Sequence, residues 1–345
     1  MSSHEMTNHE MSSHEMTNHE MTSHEMIGID IAARELAVIG ERVTLEPTYE
    51  NTPAGRQALV KALRRSKRPV RVVMEATGIY FLDVACDLAD AGFEVMVVNP
   101  RVAHHFAEAI LQRRKDDPTD AAMLQEYGRR MTFVPWVPPR AEVLALRALT
   151  REVQAQTKAT AAAKNRLHAL RATRLTPASL LRALERQIAR AEALIDELMT
   201  AAVALVEADP ELAQRFGRID GIPGFGAKAT VTVMGELVTL PRMSARQWVA
   251  QAGLDVREER SGTSVQRRSK ISKRGNKRLR EALFYPALTA GRCCPEAHAF
   301  VTRLIARGKT PLQAEVALMR KLLHAIHALW HNNEAFDAKK LFAQV

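Results

Sequence analysis

The spacing of apolar residues changes character once along this chain, at the proline-rich segment VPWVPPR (134–140). Upstream of it, short β-branched runs alternate with helical patterns. MIGIDIA, starting at Met26, reads as a strand, and LAVIGE and RVTLEPTY follow as two more, with a turn at Gly40. PAGRQALVKALRRS reads as a helix with Pro53 near its start. VRVVMEA (70–76) is a buried strand, a helix is predicted over about 79–91, and EVMVVNP (94–100) is another strand. Helices follow at about 101–111 and 118–130. Three strands that meander and then alternate with helices, in the order βββαβαβα, predict a mixed sheet covered by helices.

That order is the order of a ribonuclease H-like (RuvC-like) α/β domain, placed at 26–133 with the linker at 134–140. Downstream the period becomes 3-4-3-4. It runs through Leu146, Leu149, Val153, Gln156, Thr160, Ala163, Leu167 and Leu170, breaks at Thr176-Pro177, and resumes from Leu181 to Leu205. Sustained heptads predict a helical coiled-coil middle over 141–208, either an intramolecular hairpin or a pairing between subunits. A mostly helical third region is placed at 218–345. It opens on GIPGFGAKA, a Gly-rich turn between helices, and closes on the amphipathic helix TPLQAEVALMRKLLHAIHALW.

The residues before Met26 are of another kind: MSSHEMTNHE occurs twice and is followed by MTSHEM. Residues 1–25 read as a low-complexity repeat tail, its five His weak metal ligands at most and without assigned function. The tail also masks the charge. The whole chain carries +10, but residues 1–26 hold five Glu and no Lys or Arg, so the remainder carries +15. An excess of that size points to a polyanionic partner, above all nucleic acid. Three cysteines (Cys86, Cys293, Cys294) without metal-ligand spacing imply a reducing compartment. No apolar run approaches the ~20 residues a membrane span requires, and no signal pattern opens the chain; the expected location is the bacterial cytoplasm, away from membranes.

Four acids stand where chemistry is expected. Asp30 sits mid-strand in GIDIA, a poor position for Asp, and its carboxylate between Ile29 and Ile31 must be offset by something. Glu75 closes the apolar run VVME. Asp117 and Asp120 are three apart and share a helix face, with Asp117 read as N-cap, Pro118 as the first helical residue and Asp116 as a surface charge. In a ribonuclease H-like sheet the first strand neighbours the later parallel strand, and a helix after the last strand crosses both, so the four acids converge. Such a cluster suits Mg²⁺, and two ions about 4 Å apart activate a nucleophile and stabilise a leaving oxygen in phosphodiester cleavage. Taken singly, Asp117 reads as a cap, Asp120 as solvated and Glu75 as an arginine partner.

The basic counterpart lies at 257–280, where ten residues are Lys or Arg and two are acidic. Arg260, Arg267, Arg268, Lys270, Lys273, Arg274, Lys277 and Arg278 are the expected phosphate contacts, and Gly224 and Gly226 allow backbone N–H groups to approach a phosphate.

GIDIA, VVMEATGIY, VVNPRVAHHFA and KDDPTDA, followed by IPGFGAKAT, SARQWVAQAGL, RSGTSV and SKISKRGNKRLREAL, together resemble the DEDD transposases of bacterial insertion sequences, the Piv/MooV type. The resemblance covers roughly 26–335. It implies that Asp30, Glu75, Asp117 and Asp120 are the catalytic, metal-binding acids. The third motif departs from the family's Lys-Thr-Asp, reading Lys115-Asp116-Asp117. The resemblance further implies excision and insertion of a mobile element, a structured non-coding RNA that pairs with donor and target double-stranded DNA, and homodimers that pair into tetramers. It also implies a C-terminal serine that attacks the phosphodiester: Ser261 of RSGTS, with Ser272 of ISKRGN as its rival. A Holliday-junction-type nuclease using metal alone, and a nonenzymatic nucleic-acid-binding protein with structural acids, are the competing readings.

Overall fold

A computed structural model describes residues 24–112, 114, 116–257, 260–261, 265–266, 270–332 and 334–343, with 257, 260–261 and 265–266 in backbone only. The chain divides into two compact units, one ending at Pro138 and the other beginning at Pro139.

The first unit is built on five strands, β1 (Glu25–Ile31), β2 (Glu35–Ile39), β3 (Thr48–Glu50), β4 (Val70–Glu75) and β5 (Glu94–Val98), in the sheet order β3-β2-β1-β4-β5. β1 is antiparallel to β2 and parallel to β4, and β4 is parallel to β5. The helices are α1 (Pro53–Leu63), α2 (Tyr80–Asp90), α3 (Pro100–Ala109) and α4 (Asp117–Arg130). Alternation along β1 divides the core. Ile27, Ile29 and Ile31 pack on one face with Leu59 and Leu63 of α1 and Val84 and Leu88 of α2. Met26 and Val73 pack on the other face with Ala103 of α3 and Leu124 and Tyr127 of α4. This mixed sheet with helices on both faces fits the ribonuclease H-like α/β fold.

Two details depart from the sequence expectation. The fold begins inside the repeat, because Glu25 is 1% exposed and its Oε1 accepts the amides of Glu41, Arg42 and Val43 at 2.9, 2.7 and 3.1 Å. With those amides held by a side chain, the third strand shrinks from RVTLEPTY to the three residues of β3. The linker is also anchored: Trp136 N–H donates to the Val95 carbonyl at 2.6 Å.

The second unit opens with two 31-residue helices, α5 (Ala141–Arg171) and α6 (Ala178–Ala208), which pack on each other. Lys164 pairs with Glu192 and Arg171 with Glu185, so the two run antiparallel. Leu146, Thr150, Val153, Thr160, Ala163 and Leu167 are buried along α5, at heptad spacing with Thr150 in place of Leu149. Then come α7 (Pro210–Asp220), α8 (Ala227–Leu237), α9 (Ala245–Gln251), β6 (Val256–Arg257), β7 (Arg260–Ser261), β8 (Val265–Gln266), β9 (Lys270–Ile271), α10 (Lys277–Cys293), α11 (Pro295–Ala306), α12 (Pro311–His331) and α13 (Ala338–Phe342). The base of the α5–α6 pair, through Leu146, Ala202 and Val206, shares one core with Trp248, Leu283, Leu318 and Leu322 of the later helices. Among the described residues no helix is long and apolar enough to cross a membrane.

Candidate active site and nucleic-acid surface

The position of the acids follows from one close approach. A Cβ on Gly28 would lie 1.9 Å from the Ala121 carbonyl oxygen and 2.7 Å from the Gln125 nitrogen, so glycine alone lets α4 lie directly on β1. Gln125 Nε2 donates to the Met26 carbonyl at 2.7 Å, and Gly128 sits over Val73 of β4. Later residues of α4 therefore meet earlier residues of the strands. Its first turn, which carries Asp117 and Asp120, reaches the end of β1 where Asp30 lies. Asp30 shares the α4 face with Met26 and Gly28 by alternation. Ile29 pairs with Met74, so the next row brings Asp30 beside Glu75, and Glu75 shares its face with Val73.

The charges register this convergence. Burial first, then Asp117 and Asp120 and more weakly Glu75, push the Asp30 carboxyl up from 3.8 to about 6, against a backbone hydrogen bond at Ile31 that lowers it. Asp120 Oδ1 accepts from Gln112 Nε2 at 2.6 Å, and the Thr77 hydroxyl lies 3.5 Å from Glu75 Oε1. Asp116, not Asp117, caps α4: its carboxylate accepts from the Thr119 amide at 2.9 Å, and Asp117 and Pro118 fall inside the first turn. Hydrogen bonds from Thr119, with a smaller contribution from Arg114, hold the Asp116 carboxyl below the usual range. The cap is therefore Asp116 and not Asp117: the helix starts at Asp117, one residue earlier than expected, with Pro118 still in the first turn, where its missing N–H costs no helical hydrogen bond.

Among the described residues, no three His, Cys, Asp or Glu side chains close around a common point at ligand distance. Asp117, Asp120 and Glu75 stand within electrostatic range of Asp30 and repel its charge. All are hard oxygen donors, the set a divalent cation draws together.

On the second unit, Lys270, Lys273, Arg274, Lys277 and Arg278 are all exposed. Two short hairpin rungs lead to them: Val256 pairs with Ile271 and Arg257 with Lys270, and Arg260 pairs with Gln266 and Ser261 with Val265. Ser261 and Arg260 thus lie on the β7 backbone, while Arg267 and Arg268 lie outside the described residues. The root of the hairpin is fastened. Ser272 N–H donates to the Asp255 carbonyl at 2.8 Å, its hydroxyl donates to the Asp255 carboxylate, and Lys273 N–H donates to the Gly253 carbonyl at 3.1 Å. Gly275, at φ +129°, has no room for a Cβ, which would fall 2.3 Å from the Gln251 carbonyl oxygen.

Asn276 caps α10, accepting from Arg278 and Leu279 at 3.0 and 3.1 Å, and donates to Glu236 Oε2 at 2.7 Å. The Glu236 side chain is fully buried, and Arg151 grips it at 2.8 and 2.9 Å. Burial pushes the Glu236 carboxyl up, but hydrogen bonds from Arg151 and Asn276 outweigh it and leave it below its ordinary value. Sequence reasoning missed this network; its one visible signal is a lone acid in the apolar helix VTVMGEL.

The glycines of the α7–α8 turn differ. A Cβ on Gly224 (φ +93°) would fall 2.5 Å from the Pro286 oxygen and the Ala290 nitrogen, so packing on α10 accounts for it. Gly226, the N-cap of α8, has open space around it.

The chain is similar to known proteins along both units. A transposase family model, the DEDD type of IS110, matches residues 27–172, and a model of the transposase IS116/IS110/IS902 family matches residues 217–302. Pilin gene-inverting proteins of Moraxella bovis and Moraxella lacunata are each 29% identical over 323 residues, which cover 91% of this chain and 98% of theirs. A probable family 20 transposase of Pseudomonas aeruginosa is 29% identical over 301 residues, 78% of this chain and 84% of that protein. A DEDD transposase domain implies a DNA substrate and dependence on divalent metal in general. The two matched segments are the two that carry the acidic row and the basic hairpin, and by them the chain belongs to the IS110-type transposases, enzymes that recombine DNA.

Proposed function

We infer that the chain excises and inserts its own mobile element by cutting and exchanging DNA strands at the acidic row. Asp30, Glu75, Asp117 and Asp120 would hold Mg²⁺, in two positions. The observation that carries this reading is the pass of α4 over Gly28, which sets the Asp117/Asp120 turn beside Asp30. Bound there, the metal would activate the attacking oxygen and stabilise the leaving one. Asp116, occupied as a cap, is outside the set.

Ser261 supplies the nucleophile. Its oxygen forms a bond to phosphorus as the bond to a DNA oxygen breaks, the serine proton passes to solvent, and the departing oxygen takes one up. The phosphodiester is conserved in the covalent link, so strands rejoin by the reverse exchange. Arg260 neutralises charge developing on the phosphate. Lys270, Lys273, Arg274, Lys277, Arg278, Arg267 and Arg268 bind the backbone of DNA and of a guide RNA, with the open N-terminus of α8 at Gly226 as a further phosphate contact. Homodimers pairing into tetramers through the α5–α6 coiled coil, in the bacterial cytoplasm, complete the reading.

One observation favours Ser272 instead: its hydroxyl already donates to a carboxylate acceptor, Asp255. The same oxygen also accepts from the Arg274 amide at 3.2 Å, which marks it as a turn staple. Strand cleavage on element-end DNA with Mg²⁺ decides. Asp30→Asn and Ser261→Ala should each abolish it and Ser272→Ala should leave a covalent protein–DNA adduct detectable; normal adduct formation by Ser261→Ala overturns the serine assignment. Sequencing nucleic acid that copurifies without nuclease treatment tests the RNA: none from the element counts against it.

A further inference from the structure

The loop that leaves Glu75 carries two apolar side chains outward, Ile79 at 77% and Tyr80 at 46% exposure. Burial of apolar surface is the ordinary outcome at the start of a helix that packs on a sheet, and α2 does bury Val84, Ala85 and Leu88. Its first residues do the opposite. Gly78, at φ +59°, turns the chain so that they project.

Their position is fixed to the acidic row. Asn51 Nδ2 donates to the Ala32 carbonyl at 3.0 Å and to the Tyr80 carbonyl at 3.4 Å, tying Tyr80 to the chain two residues past Asp30. Asn51 is itself held: its amide donates to the Arg34 carbonyl at 2.9 Å, and Arg56 Nη1 donates to its Oδ1 at 3.3 Å. Exposed cations follow the strands at the same end of the sheet: Arg34 after β1 and Arg101 after β5, with Arg114 shortly before α4. An aromatic and a branched apolar side chain, exposed at the end of the sheet that carries the acids and tied to the chain just past Asp30, match one occupant in an enzyme that acts on DNA. That occupant is a base of the strand whose phosphate lies at the acids. Cations take the backbone, and the apolar pair takes the π-face of a base displaced from its stack.

We propose that Ile79 and Tyr80 form a wedge that unstacks a DNA base next to the phosphate cut at the acidic row. The proposal rests on Asp30 and Glu75 marking the place of cleavage. Unstacking frees the target phosphate from the regular duplex path and makes cutting sensitive to how easily that base pair opens.

The test uses the full chain, with copurifying nucleic acid retained, on element-end duplexes carrying 2-aminopurine at successive positions across the cut. Fluorescence should rise severalfold at one position. Tyr80→Phe should keep that rise, Tyr80→Ala should lose it, and Tyr80→Ala should cleave at least about tenfold more slowly, the scale of a lost base stack. A mismatch at the reporting position should restore Tyr80→Ala cleavage to within about threefold, since that pair no longer needs opening. Melting at the parent temperature confirms that the exposed substitution leaves the fold intact; if Tyr80→Ala does not fold, Ile79→Ser with the same mismatch rescue decides. Parental cleavage and fluorescence by Ile79→Ser/Tyr80→Ala, or a defect that the mismatch does not repair, overturns the wedge. Asp30→Asn should keep the fluorescence rise without cleaving. If it cleaves, the acidic row is misassigned, and the fluorescence arm still decides the wedge.

Discussion

At the scale of single residues, Asp30 and Glu25 are carboxylates on one strand with opposite fates. Glu25 is met by three amides, whereas Asp30 meets burial and three other acids. A carboxyl raised from 3.8 to about 6 binds its proton more tightly in the folded chain. Stability from this group is therefore fully present below about pH 4 and is lost as pH rises through about 6. Asp30 is only partly buried, so screening reduces the cost at pH 7 to on the order of 1 kcal/mol. Asp30→Asn should raise thermal stability at pH 7 and change it little at pH 3.5, read as the difference in melting temperature between variant and parent. Mg²⁺ should raise the melting temperature of the parent at pH 7 but not that of the variant. Glu25→Ala should act in reverse, destabilising by about 2–3 kcal/mol because it orphans buried donors. Glu25→Gln, which keeps an acceptor, should lose less in urea unfolding. A stable Glu25→Ala chain would mean that water reaches those amides.

At the scale of elements, the packing of α4 on β1 decides whether there is a site at all. Gly28→Ala drives a methyl into backbone, and strands cannot yield without breaking the ladder. It should cost more than about 3 kcal/mol and abolish cleavage. Gly128→Ala meets only the Val73 and Met26 side chains, and should cost less and retain cleavage; equal loss from the two substitutions would deny Gly28 its role. Part of this architecture is legible in the sequence for a physical reason. Strand β1 carries Ile at every second position and β4 and β5 are rich in Val, so pattern and composition find them; Asp30 and Glu75 stand out because one interrupts and the other ends such a run, and Asp117 and Asp120 because they flank Pro118 at a helix start. What is not legible is nonlocal. Nothing in RVTLEPTY announces that Glu25, 17 and 18 residues back, takes its first two amides. Rungs of two residues at 256–271 are too short to have a period, and Glu236 is an acid in an apolar helix whose partners, Arg151 and Asn276, lie 85 and 40 residues away.

At the scale of the whole molecule, the net charge of +10 is held in few places. The repeat is acidic, many surface arginines are paired (Arg129 with Glu41 and Glu126, Arg140 with Asp209), and the segment 257–280 concentrates ten cations against two acids. Binding strength and its salt dependence should therefore reside in that segment. Lys273, Arg274, Lys277 and Arg278 protrude from a turn fastened through Asp255, Gly253 and Gln251 and from the first turn of a helix capped by Asn276. Replacing these four cations by Gln should weaken binding to duplexes of any sequence and reduce the slope of log affinity against log salt by roughly 3–4, near 0.9 for each phosphate no longer neutralised. Asn276→Ala leaves all four charges in place but frees the turn from Glu236. It should lower the cleavage rate more than affinity, with the salt slope unchanged. A cleavage rate for Asn276→Ala that fell only in proportion to affinity would mean that the cations bind as a diffuse charge; a rate that falls further, at an unchanged salt slope, means that the Glu236–Asn276 anchor aims them.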